Sequence, residues 1–112
     1  SDRTVRRAGL DYWKHVQLFE FEDWTDFLVR RAPRPDALFL WEDDGATSAY
    51  DVVFPSDAHL VFGCETRGLP KAILADDGAR IVRLPMRSHH IRSLNLANAA
   101  TAAAYLALRD VL

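Results

Sequence analysis

Residues 62–70 read Phe62-Gly63-Cys64-Glu65-Thr66-Arg67-Gly68-Leu69-Pro70, and they join a predicted buried strand to a short helix that Pro70 opens. In open α/β sheets, ligands bind where a strand ends and a helix begins. Gly63 and Gly68 let the backbone turn sharply and approach a ligand closely, so a valine at Gly63 is expected to impair binding more than folding. The same glycines also suit a plain strand-to-helix turn, and that alternative stays open.

Two common phosphate motifs are absent from this stretch. It has neither the GxxxxGKS/T pattern of a P-loop nor the GxGxxG pattern of a dinucleotide-binding fold. The ligand of this junction is therefore expected to be of another kind.

A second junction of the same type lies further along the chain. A predicted strand ends at Leu84-Pro85-Met86, a polar loop follows, and a helix begins within Arg92-Ser93-Leu94-Asn95-Leu96-Ala97-Asn98. Ser93 or Asn95 can cap that helix. One helix start does not need Ser93, Asn95 and Asn98 together, and the surplus of polar groups favours a site for a polar ligand. Capping alone remains the open alternative.

The segments around the two junctions alternate between strands and helices. Strands are predicted at 16–21, 37–41, 59–62 and 79–84, a short strand or extended segment at 50–54, and helices at 24–31, 70–75 and 95–112. The strands are of the buried type. This is the pattern of an α/β fold with a mostly parallel sheet flanked by helices.

Size and composition set further limits. A chain of 112 residues favours one domain. Its composition, with 49% hydrophobic and 27% charged residues, is typical of a globular protein. The formal net charge of −2 argues neither for nor against a nucleic-acid partner. The single cysteine, Cys64, excludes an internal disulfide and suits a reducing cytoplasm. No stretch is apolar over the length of a membrane span, and no Cys/His cluster has zinc spacing.

Arginines and alanines provide the candidate partner surfaces. Arg6 and Arg7, near the start, and Arg67 and Arg92, in the two junction loops, are predicted to contact RNA phosphates. A solvated basic face is the alternative for the first pair. The Ala-rich last helix lets a neighbour come close, which serves either core packing or a homodimer contact.

The two junctions, in this order, resemble the second and third motifs of SPOUT methyltransferases, and stand here as FGCETRGLP and LPMRSHHIRSLNLANA. A third stretch, RRAGLDYW at residues 6–13, is similar to the segment typical of one branch of that family. That branch methylates the wobble cytidine or uridine of tRNA on the ribose 2′-hydroxyl. The resemblance covers essentially the whole chain.

The resemblance implies a single domain, residues 1–112, whose C-terminal part is threaded into a deep trefoil knot, a rare topology. It implies S-adenosylmethionine as cofactor, tRNA as substrate, no metal, and a homodimer formed through the last helix. The residues expected to line the cofactor are Trp41, Gly63, Leu84 and Ser93. The polar residues expected to organise catalysis are Glu65, Ser93 and Asn95.

One departure from the family is plain. Relatives begin with a strand and helix that carry an Asn-x-Gly-Asn-x-x-Arg motif, and its arginine is associated with activation of the 2′-hydroxyl. The present sequence has no such motif, so we expect either a piece of a longer protein or a natural truncation. The expected function is 2′-O-methylation of a tRNA ribose at the wobble position. The alternatives are a non-catalytic knotted dimer that binds S-adenosylmethionine or RNA without turnover, and an unrelated α/β interaction domain.

Overall fold

The computed structural model describes residues 16–64, 66–76, 79–86 and 95–111. Its contacts divide the chain into two units, Ser1–Arg30 and Arg31–Leu112. Within the described segments, no helix combines the length and the apolar character that a membrane span requires.

The first helix, α1, spans Trp24–Arg31, as predicted. The Oδ1 atom of Asp23 accepts the backbone N–H of Asp26 at 2.8 Å, so Asp23 caps the helix. The rings of Trp24 and Phe27 stack with centroids 5.1 Å apart. Directly after α1, Ala32 adopts a positive φ of 45°, a left-handed conformation common where helices end.

The strand predicted at 16–21 is wrong. These residues form no regular structure, and the side chains of Val16, Leu18 and Phe19 are more than half exposed. Alternating apolar residues favoured a strand, but a strand also needs a partner. The described sheet contains none for this segment.

Four strands form one sheet in the order β2-β4-β1-β3. Their bounds are Leu38–Trp41 for β1, Thr47–Ser48 for β2, His59–Phe62 for β3 and Arg80–Arg83 for β4. All three pairings are parallel, and Trp41 pairs with Phe62 on one side and Val82 on the other. The predicted parallel α/β sheet is thereby confirmed. In the segment predicted at 50–54 as a short strand or extended, Tyr50 and Asp51 lie in a short 3₁₀ helix, Ala49–Asp51, whose N-cap is Ser48, and Val52 after it is extended.

The core lies on β1, whose four residues are all buried, as expected for a central parallel strand covered on both faces. Helix α2 spans Lys71–Leu74 and helix α3 spans Leu96–Ala107, shorter than the predicted 95–112. Ala103 of α3 is fully buried in the core cluster with Phe39, Trp41 and Val82. The small alanine side chain thus brings α3 close to the sheet.

The predicted trefoil knot stays a prediction, because residues 87–94, between β4 and α3, lie outside the described part.

Before the amino ends of β1 and β3, the Arg34 guanidinium donates to both carboxylate oxygens of Asp57 at 2.7 Å. It also pairs with Asp36 at 2.9 Å. The hydrogen bonds from Arg34 hold the pKa of Asp57 below its usual value. This exposed pairing joins the segments that precede β1 and β3.

Candidate functional site

A cavity of about 460 Å³ opens at the edge of the sheet where β1, β3 and β4 end. Its described lining comes from residues 41–44 at and after the end of β1, 62–64 and 66–68 at and after the end of β3, 84 and 86 after β4, and 96 and 99 in α3. The volume is within the range of small-molecule sites. The position, at the carboxyl ends of parallel strands, is where open α/β sheets bind ligands.

The loop after β3 folds back on itself through its two glycines. The Gly68 N–H donates to the Cys64 carbonyl at 2.9 Å, and Gly68 adopts a φ of +67° that favours glycine. A Cβ on Gly63 would lie only 2.1 Å from the Gly68 carbonyl carbon. Gly63 is therefore needed for backbone contact inside the loop, in addition to lining the cavity.

Glu42 connects this loop to the centre of the sheet. Its backbone N–H donates to the Val82 carbonyl at 2.9 Å, which ties the end of β1 to β4. Its carboxylate accepts the Leu69 N–H at 3.4 Å, and a Cβ on Gly68 would lie 2.7 Å from its Oε2 atom. Gly68 thus leaves the space that the Glu42 carboxylate occupies.

The structure brings together three of the four residues predicted to line a cofactor: Trp41, Gly63 and Leu84 all border the cavity. Trp41 is 6% exposed, and its ring stacks on Phe62 with centroids 5.7 Å apart. Its buried indole Nε1–H has no hydrogen-bond partner among the described residues. Such an unsatisfied donor is uncommon because it costs free energy, and an absent bound group can explain it.

The predicted catalytic and RNA-contacting residues are described only in part. The Asn95 Oδ1 accepts the backbone N–H groups of Ala97 at 2.9 Å and Asn98 at 3.4 Å, so Asn95 caps α3. Its catalytic role stays a prediction. Arg67 is exposed and lines the cavity. The remaining candidates, Glu65, Ser93, Arg6, Arg7 and Arg92, lie outside the described residues.

Cys64 presents an exposed thiol to the cavity. A hydrogen bond from the Arg67 backbone lowers the pKa of this thiol, and the Thr66 hydroxyl, 3.8 Å from Sγ, adds to the effect. Both partners belong to the folded-back loop, so the lowered pKa of the thiol depends on the geometry of that loop.

Sequence analysis missed the acidic residues of the site. Glu42, Asp43 and Asp44 all line the cavity, and none of them is among the sequence-based candidates. The signal that could have identified these three residues was their position in the sequence. They directly follow the most apolar strand of the sequence, where a ligand site of an α/β sheet is expected.

Comparison with known proteins decides the family. The model of the SpoU rRNA Methylase family matches residues 1–105. The chain belongs to the SpoU rRNA methylase family. The family predicted from the two junction motifs is thereby confirmed.

Individual members of the SpoU family are similar over nearly the whole chain. A tRNA (cytidine(34)-2′-O)-methyltransferase of Burkholderia cenocepacia is 39% identical over 111 residues, which cover 98% of this chain and 70% of the relative. A solved structure that describes 2′-OH methylation of C/U34 on tRNA is 42% identical, with a TM-score of 0.81 over 94% of this chain and 66% of that one. The chain thus spans about two thirds of the length of these relatives.

A third comparison concerns a cofactor complex. The SpoU methyltransferase AviRb from Streptomyces viridochromogenes, solved with AdoMet, is 37% identical with a TM-score of 0.59. The match covers 79% of this chain and 34% of AviRb.

Proposed function

We propose that this chain is the cofactor-binding part of an S-adenosylmethionine-dependent RNA 2′-O-methyltransferase that modifies the wobble ribose of tRNA. One observation supports this most strongly. The two segments that resemble the family's motifs both line the strand-end cavity, in a chain 39% identical to a tRNA (cytidine(34)-2′-O)-methyltransferase.

The residues of the cavity fit S-adenosylmethionine. Apolar walls from Phe62, Leu84 and Met86 suit an adenine ring. The buried Nε1–H of Trp41, a cavity-lining residue, has no acceptor among the described residues. Gly63 and, by the family resemblance, Ser93 would complete the lining. When bound, the cofactor supplies a methyl group on a sulfonium, which is already a good leaving group.

The protein's own task would be to position and deprotonate a ribose hydroxyl. A hydroxyl is a weak nucleophile, so orientation toward the methyl carbon and removal of its proton lower the barrier. Glu65, Ser93 and Asn95 are the residues that we assign to organising this site. The exposed Arg67, which lines the cavity, would pair with an RNA phosphate.

The active form that we propose is a cytoplasmic homodimer joined through α3. Three apolar side chains at or after the end of this helix support that surface: Tyr105 is 65% exposed, Leu108 44% and Val111 72%. The single exposed thiol suits a reducing compartment.

A second candidate is a dimer that binds S-adenosylmethionine or RNA without turnover. The capping role of Asn95 favours it, because the Oδ1 atom of this catalytic candidate is already engaged by two backbone N–H groups.

Methyl transfer to tRNA separates the two functions. The intact gene product is incubated with labelled S-adenosylmethionine and unmodified tRNA carrying cytidine or uridine at position 34. The control is the same tRNA already 2′-O-methylated there. The enzyme should label only the first. Binding of the cofactor or of tRNA without label in any tRNA would favour the non-catalytic dimer, and absence of binding to either would contradict both candidates.

A further inference from the structure

The described wall of the cavity carries more negative than positive charge. Glu42, Asp43 and Asp44 line it, and Arg67 is the one basic residue among its described lining. None of the three carboxylates forms an ion pair with another described residue. Arg83 lies nearby, but its guanidinium donates to the Gly45 and Ala46 carbonyls at 2.9 and 3.1 Å. Within the described part, the three carboxylates therefore have no ion-pair partner, and they outnumber the basic residue of the lining.

Glu42 is the most firmly placed of these carboxylates. It is half-buried, whereas Asp43 and Asp44 are exposed. The Glu42 carboxylate lies against Gly68 and accepts the Leu69 N–H, so the motif loop fixes its position beside the cavity. A charge held at the wall of a partly enclosed site acts on a ligand through less water than a charge on a free surface.

We propose that this acidic wall, and Glu42 above all, makes the cavity select a cationic sulfonium nucleoside over the uncharged thioether that remains after transfer. The proposal rests on the proposed function. In the transfer, the S–CH₃ bond breaks and leaves its electron pair on sulfur, an O–CH₃ bond forms, and the hydroxyl proton is released. The ligand thereby loses its sulfonium charge, and the attraction of Glu42 for it disappears. Glu42 would thus be a specificity-determining residue that favours cofactor binding and product release.

The grouping of carboxylates does not by itself indicate a metal. Among the described residues, no cluster of three or more His, Cys, Asp or Glu side chains is arranged to hold an ion. An organic cation that fills the cavity is the better match, because the other walls, from Phe62, Leu84 and Met86, are apolar.

The test compares a charge-neutral variant with a matched control. Glu42→Gln keeps an oxygen that can accept the Leu69 N–H and removes the charge. Asp51→Asn removes a charge from an exposed residue that is not among those lining the cavity. Each protein is titrated calorimetrically with S-adenosylmethionine, with S-adenosylhomocysteine and with sinefungin, in which an ammonium replaces the sulfonium.

The proposal predicts that Glu42→Gln changes the ratio between the dissociation constant of S-adenosylhomocysteine and that of each cationic ligand. In Glu42→Gln the preference for each cationic ligand over S-adenosylhomocysteine should fall by about tenfold, equivalent to about 1.4 kcal/mol. Asp51→Asn should keep the ratio of the unaltered chain. A purely structural role of Glu42 would weaken all three ligands equally and leave the ratio unchanged, which would overturn the proposal.

Salt provides a second test that needs no variant. Raising ionic strength in the unaltered chain should weaken binding of S-adenosylmethionine more than of S-adenosylhomocysteine, because screening acts on the attraction between charges. Equal salt dependence would overturn the proposal while leaving the proposed function intact. If none of the three ligands binds, both the proposed function and the selectivity that rests on it are wrong.

Discussion

Replacement of Gly63 by alanine tests the geometry on which the site depends. A Cβ at this position would lie 2.1, 2.2 and 2.4 Å from three backbone atoms of Gly68 and Leu69. These neighbours are backbone atoms, so no side-chain rotation relieves the contact. The two arms of the loop must separate by more than about 1 Å to reach ordinary contact distance.

The cost of that separation has two parts. Forcing a methyl group into a packed region costs about 1–3 kcal/mol. The same movement stretches the 2.9 Å hydrogen bond from Gly68 to Cys64 beyond bonding distance, and its loss adds about 1 kcal/mol. We expect Gly63→Ala to lower the free energy of unfolding by about 2–4 kcal/mol.

Urea denaturation followed by tryptophan fluorescence measures the free energy of unfolding, and calorimetric titration measures binding of S-adenosylmethionine. Thr66→Ala, an exposed change in the same loop, is the control and should stay within about 0.5 kcal/mol of the unaltered chain. Stability and binding should fall together in Gly63→Ala. This differs from the sequence-based expectation that substitution of Gly63 affects binding more than folding. A variant as stable as the unaltered chain, with unchanged affinity, would refute the loop geometry.

Three other perturbations have defined outcomes. Asn95→Ala should cost about 1 kcal/mol of stability in thermal unfolding, because it removes the cap of α3; an unchanged melting temperature would contradict the cap. Ala32→Gly should stabilise the chain by up to about 1 kcal/mol in urea, because glycine relieves the positive φ; a loss of stability would contradict that strain. Because the pKa of Cys64 is lowered, its alkylation by iodoacetamide should reach its half-maximal rate at a lower pH than that of an ordinary cysteine. Thr66→Val should move that midpoint upward, and an unmoved midpoint would exclude a contribution from the Thr66 hydroxyl.

The central elements were predictable because their sequences carry strong local signals. Residues 37–41 and 59–62 are apolar runs bounded by turn residues, and they form the paired strands β1 and β3. The caps at Asp23 and Asn95 were predictable for the same reason, since an Asp or Asn before a helical pattern has a specific hydrogen-bonding role.

The errors have tertiary causes. Residues 16–21 have the composition of a strand but no strand partner in the described sheet, and pairing is a property of the whole fold. The two-residue strand β2 is too short to show an alternating pattern, and it pairs only because β4 lies beside it. Local propensity could not predict either outcome.

The acidic wall of the cavity follows from the strand order, which the local sequence pattern does not reveal. Because β1 lies between β3 and β4, the residue after Trp41 meets both the Val82 carbonyl and the loop after β3. Glu42 therefore joins three strand ends that are far apart in sequence. Gly63 lets the loop close, and Gly68, lacking a side chain, leaves room for the Glu42 carboxylate. A change at any of these three positions should alter the same cavity, so the glycines of the motif and the charge of Glu42 act as one structural unit.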